Sequence, residues 1–289
     1  MTPDDDQLWV RRSCLRDVQY RTDANLAARQ SIYAYQHPRI DLQARVIDLA
    51  APAPGATVAD VGCGNGSYLA ELARRGFAGR VLGLDLSPGM LDAARERLAS
   101  VGSPAGSSAA GSPDTSSAGT AGSPGDVALL AADATALPLP DGVADLTLAM
   151  HMLYHVPDPS QAVRELRRVT RPGGRVVIGL NGLDHLRELR ELVGAVRGDG
   201  RWGRFERVTL DEGEALARPC FSTVIRHDFV AELRLTDPAP VADYVRSMSG
   251  THHSADPERL VAGVVARFPA GPSAVLTITT HTGCLICEA

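Results

Sequence analysis

The chain has 289 residues, 44% of them hydrophobic, which is ample for one large or two small domains with buried cores. Its formal charge of -5 argues against a phosphate-neutralising surface, and so against nucleic acid as the main partner. The longest apolar runs, Val127 to Ala132 and Val176 to Leu180, are far shorter than the ~20 residues of a membrane span, and Met1-Thr-Pro-Asp-Asp-Asp6 lacks the features of a secretion signal, so no membrane association and a cytoplasmic location are expected.

Residues 1–52 read as an N-terminal helical cap or lid. Leu26, Ile32, Ile40, Leu42, Val46 and Leu49 carry an irregular apolar face, and Ala51-Pro-Ala-Pro-Gly55 closes the segment. From 53 to 182 strand and helix patterns alternate, as in a doubly wound, mostly parallel α/β sheet. The first strand runs into Val58-Ala-Asp-Val-Gly-Cys-Gly-Asn-Gly66, an apolar run, a terminal carboxylate and three glycines. Such glycines let the backbone turn tightly beside a ligand. A pyrophosphate on the following helix N-terminus would be repelled by Asp60. S-adenosylmethionine carries a sulfonium and an ammonium and no phosphate, and it suits that acid.

A second strand, Arg80 to Leu84, ends in Asp85 about twenty residues on, where an acid can chelate two ribose hydroxyls. Ser87 as N-cap and Pro88 open a helix striped by Met90, Leu91, Ala94 and Leu98. The stretch 101–125, almost all Gly, Ser, Ala, Pro and Thr, is expected to be a disordered insertion. Val127 to Asp133 is a third strand; Asp133 reads either as a turn-forming acid or as a partner for an adenine amino group. Ala144 to Ala149 is a fourth strand, followed by Met150-His-Met-Leu-Tyr-His-Val156. Asp158-Pro159 opens a helix through Val169, and Arg171-Pro-Gly-Gly174 ends it before the strand Arg175 to Leu180. Every acid, glycine and histidine singled out falls at the carboxyl end of a strand, where open α/β sheets bind ligands.

Five scattered cysteines do not describe a disulfide framework. Cys284-Leu-Ile-Cys287 has a metal-like spacing, but on a strand residues three apart face opposite ways, and no metal site is expected.

Four blocks, Asp60 to Gly66, Gly83-Leu-Asp-Leu-Ser-Pro-Gly-Met90, Ala132-Asp-Ala134 with Leu137-Pro-Leu-Pro-Asp141, and Arg171-Pro-Gly-Gly-Arg175, resemble those of class I, Rossmann-like S-adenosylmethionine-dependent methyltransferases. The resemblance covers roughly 55–182. It implies a seven-stranded sheet with an antiparallel last strand, near Ala274 to Cys287, and a variable substrate region in 183–289. It also implies Gly62, Cys63, Gly64 and Gly66 beside the methionine moiety, Asp60 near its ammonium and Asp85 on the ribose. Leu86 and Met90 would flank the adenine, Asp133 and Ala134 would meet its edge, and Met150 and His151 would lie near the methyl donor. The blocks Tyr20 to Arg29, His151 to Asp158 and Asn181 to His185 further resemble bacterial small-molecule methyltransferases.

On this reading Tyr20, Arg29 and Tyr33 form a lid, with Arg29 matching the cofactor carboxylate. His151, His155 and Tyr154 are the candidate catalytic groups, the two histidines sharing one face of a helical turn, and His185 and Glu188 line the acceptor pocket. The expected acceptor is a small molecule or modified peptide, the product S-adenosylhomocysteine and the protein a monomer or homodimer. The alternatives are an NAD-dependent oxidoreductase, disfavoured because the chain has no lysine for a Tyr/Lys pair, and a nucleoside-binding regulator without activity.

Overall fold

The computed structural model describes residues 10–102, 126–198, 208–248, 256–271 and 273–289. The expected insertion therefore lies outside the described residues except for its first two positions, as does the acidic start. After a short helical segment, Arg12–Cys14 and Leu15–Gln19, come α1 (Ala24–Ser31), β1 (Gln36–His37) and α2 (Leu42–Ala50). The alternating region follows as β2 (Thr57–Val61), α3 (Ser67–Arg74), β3 (Arg80–Asp85), α4 (Pro88–Gly102), β4 (Val127–Ala131), β5 (Ala144–Met150), α5 (Pro159–Val169) and β6 (Thr170–Asn181). The remainder holds α6 (Arg187–Arg197), α7 (Leu210–Ala217), β7 (Thr223–Leu235), α8 (Ala239–Arg246), α9 (Pro257–Val265) and β8 (Leu276–Glu288).

The strands form one sheet in the order β1-β7-β8-β6-β5-β2-β3-β4. Strands β2 to β6 run parallel, and β8 enters antiparallel between β6 and β7. The sheet thus has eight strands where seven were expected. The addition is β1, a two-residue strand from the cap that pairs antiparallel with Leu233 and Glu232 of β7, so the cap is not wholly helical. Strand order reverses between β2 and β5, and the crevice that opens at such a point is where doubly wound sheets bind ligands.

Alternation along the strands sends side chains into two cores. Ala59, Val61, Val176 and Ile178 pack with Val163 and Leu166 of α5 and Leu210 of α7, while Val58, Leu148 and Val177 pack with Ile47 of α2 and Leu69 of α3. Cys287 belongs to the first core and Cys284 to the second, so β8 does carry them to opposite faces. A third core joins Ile32 of the cap to Leu189 of α6, Leu233 of β7, Val245 of α8, Leu260 of α9 and Ile278 of β8. The first part of the cap is thereby seated on the 183–289 region, while α2 packs on α3 of the alternating region.

Local chemistry differs from expectation at two joints. Asp158 caps α5 through Gln161 N–H at 2.9 Å, as its sequence suggests. The Arg171-Pro-Gly-Gly174 turn, however, is absorbed into β6, where Gly173 N–H and Gly174 C=O pair with Ala289. Ser87 donates its hydroxyl to the Tyr20 carbonyl at 2.7 Å, tying the cap to the start of α4.

Candidate functional site

A cavity of about 550 Å³ opens over the carboxyl ends of the parallel strands, within the usual range for ligand sites. Gly62, Cys63, Gly64, Asp85, Leu86, Met90, Asp133 and Ala134 line it on the β2, β3 and β4 side. Met150, His151, Met152, Tyr154, His155, Asn181, His185 and Thr282 line it on the β5, β6 and β8 side, and Tyr20, Arg29, Tyr33 and Gln36 from the cap complete the wall.

The glycine loop presents little to a phosphate. Gly62 and Cys63 donate their amides to the Leu84 carbonyl at 2.7 and 2.9 Å, and Gly64 donates to Asp85 at 2.9 Å. Those three donors are committed inward, whereas a dinucleotide site turns loop amides toward a pyrophosphate. The glycines themselves answer to close packing. Gly62 (φ +73°) would place a Cβ 2.7 Å from Met152, and Gly66 (φ +74°) would place one 2.9 Å from Ala94 of α4. Gly66 is not among the residues lining the cavity, and the approach of α3 to α4 constrains it.

Asp60 departs from its expected place as well. It is 1% exposed and is not among the residues lining the cavity, whereas its neighbours Val61 and Gly62 are. Neither carboxylate oxygen has a hydrogen-bond partner, and the Tyr68 hydroxyl, on a residue that does line the cavity, is likewise without one. Burial, with Asp85 adding like charge, pushes Asp60 up to about 7. A buried carboxylate with no counter-charge is costly, and a cation in the adjoining cavity would relieve it. Asp85 is raised by burial too, against the opposing pull of the Ser87 and Gly64 amides.

Asp133 accepts from the amide and hydroxyl of Thr135 at 2.9 and 2.7 Å and pairs with Arg12 from the N-terminal segment. Burial raises its pKa, but these donors outweigh that and leave it lowered. Arg12 escaped sequence reasoning because no periodicity or spacing ties it to residue 133. Arg29 donates one nitrogen to the Ser247 carbonyl at 2.7 Å and stacks over the Tyr20 ring with 5.5 Å to its centroid. Its Nη2 is buried without a partner, as a site awaiting an anion would be.

The two candidate histidines do not share a helical face. Only Leu153–His155 is a helical turn, and His151 precedes it in a left-handed bend (φ +54°), its amide held by the Gly179 carbonyl at 2.8 Å. A non-glycine residue there carries strain on the order of 1–3 kcal/mol, a cost met where a side chain must point a particular way. Burial lowers His151 to about 4, so it stays neutral. His155 shares a 2.7 Å hydrogen bond with the Tyr20 hydroxyl and meets the Tyr154 ring edge-on. His185 lines the cavity, but Glu188 does not; it accepts the amide and hydroxyl of Thr279, both at 2.8 Å, and so anchors α6 to β8.

The donor set fits a cationic nucleoside with an amino-acid tail: unpaired Asp60 for positive charge, the unpaired Nη2 of Arg29 for a carboxylate, and Asp85 and Asp133 at successive strand ends. Residues 59–178 match the family described as a methyltransferase domain. An uncharacterised methyltransferase of Mycobacterium bovis is 33% identical over 233 residues, 79% of either chain. A malonyl-[acyl-carrier protein] O-methyltransferase of Serratia marcescens is 29% identical over 210 residues, 73% of this chain and 69% of its own. In fold, the chain is similar to an N-methyltransferase of Haemonchus contortus solved with phosphomonomethylethanolamine and S-adenosylhomocysteine. That match has a TM-score of 0.56 at 17% identity and covers 97% of this chain and 59% of the other. The chain belongs to the class I S-adenosylmethionine-dependent methyltransferases. S-adenosylmethionine is its cofactor, and the NAD-dependent and non-enzymatic alternatives fall away.

Proposed function

We propose that this methyltransferase acts in the cytoplasm on an oxygen or nitrogen of a small metabolite, of the kind met in natural-product assembly. The observation that carries the reading is His151: a neutral imidazole, strained into place at the carboxyl end of β5 and lining the same cavity as Asp85 and Arg29. The O-methyltransferase named among the relatives adds support for an oxygen acceptor.

Asp85 would hold the ribose hydroxyls, Asp133 and Ala134 the adenine edge, Leu86 and Met90 its faces, and Arg29 the carboxylate of the cofactor. Asp60 would act through its charge from behind the wall, opposite the ammonium. The bound cofactor supplies a methyl carbon on sulfonium, so an acceptor lone pair forms the new bond while the carbon–sulfur pair stays on sulfur. Positioning accounts for most of the acceleration of such a displacement. His151 takes the proton that a hydroxyl or ammonium acceptor loses and passes it to solvent. Tyr154 and His155 shape the wall beside it.

Incubation of the protein and labelled S-adenosylmethionine with metabolites of the native host tests this reading. Label in a low-molecular-weight product is expected, and label confined to protein or nucleic acid would overturn it.

A further inference from the structure

Strand β7 pairs with β8 along one side through all 13 of its residues, whereas on its other side β1 reaches only Glu232 and Leu233. Among the described residues, Thr223 to Ala231 therefore form an open sheet edge. The N–H and C=O groups on such an edge are a template for a further strand, and soluble proteins guard them with lysine, proline, a bulge or a very short strand. This run has none of those guards. Thr223-Val-Ile-Arg-His-Asp-Phe-Val-Ala231 holds neither lysine nor proline, and its ladder with β8 keeps one register throughout. Its one arginine and one aspartate offset each other, with Arg226 Nη2 2.8 Å from Asp228 Oδ1. Ile225 and Val230 are 49% and 59% exposed, unlike the apolar residues of the inner strands. The opposite edge of the sheet, β4, is only 5 residues long.

The same run is complementary to itself. Only every second residue of a strand turns its main-chain groups outward, so in a symmetric antiparallel pair one residue must face its own copy. With His227 at that position, Arg226 falls opposite Asp228, Ile225 opposite Phe229, Val224 opposite Val230 and Thr223 opposite Ala231. Each exposed apolar side chain then meets an apolar one, and each charge meets its opposite. A neighbouring register loses this match. Centring on Arg226 sets Asp228 against Val224, and centring on Asp228 sets Arg226 against Val230.

We propose that the Thr223–Ala231 edge is a homodimer interface, in which the β7 strands of two copies pair antiparallel about a two-fold axis at His227 and join their sheets into one. No residue of β7 lines the cavity, so the interface leaves both cofactor sites outside it.

Sedimentation of the full chain at about 100 μM should show a species of twice the 30.5 kDa chain mass. Val230→Lys places a charge on the edge of both copies and should raise the dimer Kd about a hundredfold or more, with Tm and the Kd for S-adenosylhomocysteine near wild type. Cysteine substitution reads the register. Under copper phenanthroline, His227→Cys should link to its own copy, because opposite residues of an antiparallel pair have Cα atoms about 4.5–5.5 Å apart, within reach of a disulfide. Ile225→Cys should link no more than wild type does, since the two copies of residue 225 would stand about 13 Å apart along the strands. A wild-type monomer at that concentration, a dimer that V230K leaves intact, or linkage through Ile225→Cys in place of His227→Cys would each overturn the proposal.

Discussion

At the scale of single residues the site is organised around charges left unanswered by the protein. Asp60 ionises at about 7, so below that pH a cation entering the cavity must first displace a proton. S-adenosylmethionine affinity should accordingly weaken by up to tenfold per unit as pH falls below about 7 and level off above it. Calorimetry across pH 5.5–8.5 reads this slope, and Asp60→Asn should flatten it while lowering affinity at pH 8; an unchanged slope in D60N would exclude Asp60 as its source. His151 makes a separate prediction. His151→Ala should lower kcat by roughly 10²–10⁴ if the acceptor must lose a proton, leaving S-adenosylhomocysteine binding within a few-fold of wild type. A carboxylate acceptor, which has no proton to lose, would leave kcat nearly intact.

Among elements, the N-terminal segment meets the start of α4 through a close main-chain approach at Gly89 and one side-chain hydrogen bond from Ser87. A Cβ at Gly89 would run into the carbonyl oxygen of Arg21, and the neighbouring Ser87 hydroxyl already holds Tyr20. Gly89→Ala should push the segment off the cavity, raising the Kd for S-adenosylhomocysteine and exposing Arg11 to Arg21 to trypsin. Unchanged proteolysis and affinity would mean that the segment yields without opening. This joint also marks the limit of what could be read beforehand. The strands and acids of the alternating region were legible because parallel strands are continuous apolar runs and the acids sit at or near their ends. Gly66 shows the limit from another side, because a glycine needed for helix packing and one needed for a ligand look alike in sequence. The Arg12–Asp133 pair, β1 on the sheet edge and the hydrogen bonds of His281 to Asp184 and Asp228 left no trace, since each depends on long-range placement rather than local pattern.

Across the whole molecule, the same buried groups make stability depend on pH. Asp60 has a folded value of about 7 against 3.8 for the free side chain, so the folded state holds its proton more tightly. Its ionisation therefore costs nothing below about pH 4, costs progressively more from 4 to 7, and reaches on the order of 4 kcal/mol above 7. His151 and His185 work in the other direction. Their values of about 4 and 3 lie below the ordinary 6.5, so their contribution is lost as pH falls from 6.5 toward those values. His281, held above its ordinary value by Asp228 and Asp184 despite burial, stabilises below pH 6.5 and loses that effect as pH rises through its folded value. The separate contributions overlap in a melting curve, but a substitution isolates one. Without ligand, Asp60→Asn should gain on wild type as pH rises from 4 to 7, by roughly 10 °C in relative Tm, and hold that margin above 7. Saturating S-adenosylmethionine should narrow the margin at pH 8, because its positive charge supplies what the wild-type carboxylate lacks and the amide cannot use. A Tm difference independent of both pH and ligand would show that Asp60 is neutralised within the protein and has no electrostatic part in the site.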